Sequence, residues 1–201
     1  MTRARLLLRA AAAALALVCP VVGPICAQDA PASVSIAVTW DGLLRESTAA
    51  AVVTPQAGLS VWEGGRIYTY TQVHVEQSVA GDAPSGDAWV RTMGGVVGKV
   101  GQLVDGEAVL APGQRSLLFL KSGPVGAFDI TARGQGQFVV KNDDSSTPPY
   151  LARSRSVGTL VPPRPTSAGA PGALAADVVD GRPVGDVVRD VASGWGTLHA
   201  R

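Results

Sequence analysis

Hydrophobic and polar residues alternate most regularly from Ile67 to Glu76. Ile67, Thr69, Thr71, Val73 and Val75 fall on one side, and Tyr68, Tyr70, Gln72, His74 and Glu76 on the other. A period of two predicts a strand with one face on a core. Leu59–Trp62 and Glu63-Gly64-Gly65 come just before it. Two glycines between strand-forming runs predict a hairpin, because a tight turn needs positive φ angles that glycine adopts without strain. Ser116 to Leu120 is instead apolar at nearly every position, which predicts a central strand buried on both faces.

The same pattern extends to weaker segments. Val34 to Thr39 alternates and predicts a strand buried on one face. Trp40 to Thr48 predicts a short helix capped by Thr39 or Asp41, with Leu43 and Leu44 on its apolar side. Ala49 to Thr54 is an apolar run ended by Pro55. Ala88 to Met93 reads as a strand broken by Gly94-Gly95, and residues 96–104, with Gly98 and Gly101, as one bent strand. Asp105-Gly106 and Ala111-Pro112-Gly113-Gln114 are turn sequences. Residues 127–132 and 137–141 read as a final hairpin around Arg133-Gly134-Gln135-Gly136, with one further strand near 157–161.

Toward the end of the chain, residues 162–176 have the Pro, Gly and Ala content of a linker. Val184, Val187, Val188 and Val191 then fall at helical spacing in the segment 177–201, with Pro183 suited to the start and Gly194 to the stop. One apolar stripe suits either docking back on the domain or presentation to a partner. The expected fold is mostly β: a small bent antiparallel barrel or sandwich over residues 34–161, with one short N-terminal helix and a linker-attached C-terminal helix. Many short, glycine-broken strands favour closure, which removes exposed edges.

Residues 1–27 change the picture of location. Arg3, Arg5 and Arg9 precede the apolar run 10–18, which is too short to span a bilayer, and Ala27 offers a small residue for cleavage. This reads as a signal peptide followed by a lead-in at 28–33, so an exported, periplasmic or extracellular protein is expected. Alternatives are an uncut anchor, or lipidation at Cys19 or Cys26, which bulky Val18 and Ile25 disfavour. Both cysteines lie in this leader. Cleavage therefore leaves a chain with no thiol for disulfides, nucleophilic catalysis or zinc. Setting aside those three arginines leaves 14 of the 17 basic residues against 16 acidic ones, a net of −2. That balance offers nothing to nucleic acid or an anionic membrane.

Chemistry-bearing patterns are few. His74 and His199 are the only histidines, so no metal or cofactor is expected. Gly94-Gly95-Val96-Val97-Gly98-Lys99 lacks the first glycine and the hydroxyl residue of a phosphate-binding loop. Glu63 and Glu76 are unspecific as a carboxylate pair. What remains is a set that neighbouring strands would bring together: Arg66, Tyr68, Tyr70, His74, Trp89 and Arg91. Aromatic residues with arginine make binding anchors. The expected function is thus a non-catalytic module for a protein, peptide or envelope component; the alternative is a hydrolase using His74.

The run Trp62-Glu63-Gly64-Gly65-Arg66-Ile67-Tyr68-Thr69, then Gly94-Gly95, then Pro112-Gly113-Gln114-Arg115-Ser116-Leu117-Leu118-Phe119-Leu120 resembles a group of exported bacterial small β-proteins. The resemblance covers about residues 34–140 and implies the β fold. Members of the group resemble accessory proteins of secreted metalloproteases, which implies a protein partner. The resemblance carries no catalytic residue with it.

Overall fold

The computed structural model describes residues 34–143, 147–165 and 171–200. The leader and lead-in expected at 1–33 lie outside them. In chain order the elements are β1 (Val34–Ile36), α1 (Trp40–Glu46), β2 (Ala49–Glu63), β3 (Arg66–Gly81), β4 (Gly86–Met93), β5 (Gly95–Val97) and β6 (Val100–Gln102). Then come β7 (Ser116–Ser122), β8 (Phe128–Ile130), β9 (Gln137–Lys141), β10 (Tyr150–Arg153), β11 (Thr159–Val161), α2 (Ala175–Val179) and α3 (Val184–His199).

Seven strands form one mixed sheet in the order β10-β9-β7-β2-β3-β4-β8. The sheet also bends back on itself, because β8 pairs with β7 through Leu120–Ile130, Lys121–Asp129 and Ser122–Phe128. Strands β2, β3, β4, β8 and β7 therefore form a closed circuit. The fold is mostly β, as the pattern predicts, with two corrections to an all-antiparallel sheet: β4 pairs with β8, and β1 with β11, in parallel.

The long β2–β3 ribbon is the spine of the circuit. Gly64 and Gly65 make its turn with φ of 57° and 79°, the two positive values a two-residue hairpin loop requires. Register shifts at Ala50/Ala51, Val52/Val53 and Pro55/Gly58 insert irregularities that increase twist and let so long a ribbon coil. Pro55 does not end the strand. It lies just past the β2–β7 pairing, which stops at Val53, so its missing N–H interrupts no bond to β7.

Strand β7 meets the expectation for Ser116–Leu120: all five residues are buried. Two cores explain why. Leu118 and Leu120 join Ala49, Ala51, Val53, Val73, Val90 and Ile130 inside the circuit. Leu117 and Phe119 join Ala50, Val52 and Phe138 under the helices. There Leu43 and Leu44 of α1, Val179 of α2, and Val187 and Val191 of α3 complete the layer. Phe119 holds this layer together, edge-on to both Trp40 and Phe138 at centroid distances of 5.9 and 6.1 Å.

Helix α1 is capped as predicted, with the Thr39 hydroxyl accepting from the Gly42 N–H at 3.1 Å. Helix α3 docks on the domain along the Val184, Val187 and Val191 stripe. It runs on through Gly194, correcting the predicted stop. A Cβ at that position would meet Leu44 of α1 at 3.0 Å, so glycine serves close helix packing there. The segment taken as linker is shorter than expected, since Leu174 already bridges Thr39 and α2 starts at Ala175.

Four further expectations are corrected. Val34 and Ile36 are exposed, because among the described residues β1 pairs only with β11 and covers no core with those side chains. Residues 96–104 form the β5–β6 hairpin, turned at Gly98, and not one bent strand. Strands β8 and β9 do not pair with each other. Ala132 and Arg133 take left-handed φ values of 53° and 56°, and the chain leaves β8 to join β9 farther along the same edge of β7. Near the end there are two strands, β10 and β11, where one was expected.

Truncating Phe119→Ala should cost about 3–5 kcal/mol in denaturant unfolding. Ile36→Ala, on the exposed β1, should cost less than about 0.5 kcal/mol.

Candidate functional site

The strands carrying the predicted site residues are neighbours. In the antiparallel β3–β4 pair, Tyr68 lies opposite Met93, Tyr70 opposite Arg91, Gln72 opposite Trp89 and His74 opposite Asp87. Directly opposed residues share a face, here the outer one, since Ile67, Thr71 and Val73 are buried. Strand β2 extends this face on the other flank, with Leu59 opposite Tyr70 and Val61 opposite Tyr68.

At the centre is Arg91, whose side chain is only 15% exposed. Its Nε and Nη2 donate to Asp129 Oδ1 and Oδ2 at 2.9 and 3.1 Å, a two-pronged fork. Its Nη1 donates to Glu63 Oε1 at 2.6 Å, and the Tyr70 hydroxyl donates to the other oxygen, Glu63 Oε2, at 2.8 Å. The guanidinium also lies over the Tyr68 ring, 4.5 Å from its centroid. The Asp129 hydrogen bonds hold the Arg91 guanidinium above its usual range against the opposing effect of burial. Burial, and then the Glu63 carboxylate, push the Tyr70 phenol up. Arg91 therefore stays charged and Tyr70 stays a neutral donor, so the network presents a fixed pattern of polar groups.

Around this centre, two large apolar groups face solvent: Trp89, 45% exposed, and Leu59, 64% exposed. Arg66 stands at the start of β3, exposed and with no ionic partner among the described residues. His74 is farther along β3, half exposed, with Nδ1 2.9 Å from Asp87 Oδ1. Gln72 donates to the second oxygen of Asp87 at 3.2 Å. Thr54 lies across the strand from His74, but its hydroxyl donates to Glu76.

Glu76 belongs to a separate cluster with Thr54 and Arg115, so it does not act as a partner for Glu63. Burial pushes its carboxyl up, but hydrogen bonds from Thr54 and Arg115, and the charge of Arg115, outweigh this and hold it below its ordinary value of 4.5. Among the described residues no group of three or more histidine, cysteine, aspartate or glutamate side chains is arranged to hold a metal. None of their helices is long and apolar enough to cross a membrane.

Of the predicted set, the β3–β4 pairing puts Tyr68, Tyr70, His74, Trp89 and Arg91 on one face, with Arg66 at the start of β3; sequence reasoning missed both acids that bind Arg91. Asp129 is 38 residues from Arg91 in the chain and reaches it through the parallel β4–β8 pairing. The available signal was a lone acid inside Phe128-Asp129-Ile130, an otherwise apolar strand.

Arg91→Lys cannot reproduce the fork to Asp129 together with the bond to Glu63, and should cost about 1–3 kcal/mol in thermal or denaturant unfolding. Because the Glu76 carboxyl is lowered on folding, its contribution is present above its unfolded value, near 4.5, and is lost as pH falls through the folded value. Glu76→Gln should therefore lower stability at neutral pH, with the gap to wild type closing below about pH 4.5 in urea melts at several pH values. No family model, curated protein or solved structure matches this chain.

Proposed function

We propose that the protein is an exported, non-catalytic β module that binds a protein, peptide or envelope component through the outer face of β3 and β4. The observation that carries this reading is the pairing of solvent-facing Trp89 and Leu59 with the locked Arg91–Glu63–Asp129–Tyr70 network. Apolar anchors next to rigid polar groups are how binding hot spots are built, because few side chains need ordering on contact. The architecture supports the same face. Small five-stranded barrels bind oligomeric ligands on their second and third strands and adjoining loops. In this circuit those strands are β3 and β4.

Charge narrows the ligand. Arg91 is neutralised by two carboxylates, Arg115 pairs with Glu76, and Asp87 adds a further carboxylate on β4. Such a face does not attract a polyphosphate backbone. Export rests on the leader-like residues 1–27, and the resemblance to exported β-proteins favours a protein or peptide as the partner.

The second reading, a secreted or periplasmic hydrolase using His74, draws on the His74–Asp87 pair. That pair orients an imidazole, as a catalytic base needs. It lies on an open strand face, and the hydroxyl across from it is committed to Glu76. The binding reading uses more of what this face contains.

Trp89→Ala should reduce retention of envelope proteins and peptides on the immobilised protein at least tenfold, with an unchanged melting temperature. Equal retention by the variant and the wild type would overturn this face as the binding surface.

A further inference from the structure

A concave site lies away from the β3–β4 face. It is a cleft of about 450 Å³ beside the β1–β11 pair, lined in part by Val38, Phe138, Leu160, Leu174 and Ala176. The volume is in the range of sites for small organic ligands. Its walls are fixed before any ligand arrives. The Gln135 side chain accepts from the Val38 N–H at 2.8 Å and donates to the Ile36 carbonyl at 3.0 Å, pinning the chain at the end of β1. The Ala37 N–H donates to the Val161 carbonyl, and the Ala175 N–H to the Val38 carbonyl, at 2.8 and 3.0 Å.

The polar groups of the lining are almost all committed. Gln135 is used at both ends of its amide. The buried Ser154 hydroxyl donates to Gln137 at 3.1 Å and lies 2.8 Å from the Ser156 hydroxyl. Arg153 is tied to Asp180, with Nε 3.7 Å from a carboxylate oxygen and its backbone N–H donating to the other oxygen at 3.0 Å. Arg155 is different. It lines the cleft and has no ionic or hydrogen-bonding partner among the described residues. Among the described residues, no acidic one lines the cleft.

We propose that this cleft binds a medium-chain carboxylate, with its hydrocarbon tail against Phe138, Leu160 and Leu174 and its head on Arg155. The apolar side chains of Phe138, Leu160 and Leu174 suit a hydrocarbon body. One unpaired guanidinium asks for a single anionic group, and its planar fork matches a carboxylate. The site is independent of the β3–β4 face, so its test does not depend on the function assigned there.

Decanoate, kept below its micelle concentration, is titrated into the intact protein by calorimetry. Saturable one-to-one binding is expected. Arg155→Ala should weaken it at least tenfold, with partial recovery in Arg155→Lys, and Ala176→Leu should weaken it by filling the hollow. Decanol, which lacks the charge, and acetate, which lacks the tail, should each bind at least tenfold more weakly than decanoate. Arg189→Ala, on an exposed turn of α3, should change nothing. Melting curves identify any variant that does not fold, and the comparison of the three ligands on the wild type needs no variant. Absence of saturable decanoate binding, binding indifferent to Arg155→Ala, or decanol binding as tightly as decanoate would each overturn the proposal.

Discussion

The constraint on which the structure depends is that β2 and β7 serve two cores at once. Successive residues of a strand point to opposite sides. A strand between two apolar layers therefore carries no polar position, and Ala50-Ala51-Val52-Val53 beside Leu117-Leu118-Phe119-Leu120 is the result. Alanines dominate β2 and leucines β7. Small residues on one strand face large ones on its neighbour, which is how two adjacent strands fill both layers at native density. The low aromatic content of the chain has its counterpart here, where Phe119, Phe138 and Trp40 meet in one place.

From that shared wall the two sides of the domain diverge in character. One side is covered by helices and offers little to solvent. The other curls into the circuit, whose far wall, β3 and β4, has one buried and one open face. The open face is where a side chain can be held for a purpose other than packing. Arg91 is held from three directions, by β8 through Asp129, by the hairpin turn through Glu63, and by the ring of Tyr68 beneath it. Breaking any one of these leaves a carboxylate or a guanidinium partly buried and short of partners, so the network stabilises a shape as well as a charge pattern.

What the sequence made legible follows from which interactions are local. The β2–β3 turn, the Thr39 cap and the alternation of β3 are set by residues a few positions apart, and each was predictable. The double burial of β7 was equally legible, because an uninterrupted apolar run has few other meanings in a small domain. The parallel β4–β8 pairing was not, since nothing in Phe128-Asp129-Ile130 names a partner 38 residues earlier. The same holds for β1 and β11: exposed Val34 and Ile36 mimic the alternation of a buried strand, although their contribution is backbone pairing. Gly194 misled for the opposite reason. Glycine after an apolar stripe usually ends a helix, whereas here it makes room for Leu44. The site was half legible: its aromatic and arginine members lie on two strands that sequence could place side by side, while one acid that fixes them arrives from a third.

The helical cover of β2 and β7 has a consequence for how the protein is made. Strands β2 to β9 are all translated before α3, whose valines seal the outer side of Ala50, Val52, Leu117 and Phe119. The circuit can therefore close while the part of this flank not covered by α1 stays wet, awaiting α3. A barrel in that state is open to association with its neighbours or capture by a chaperone until α3 settles.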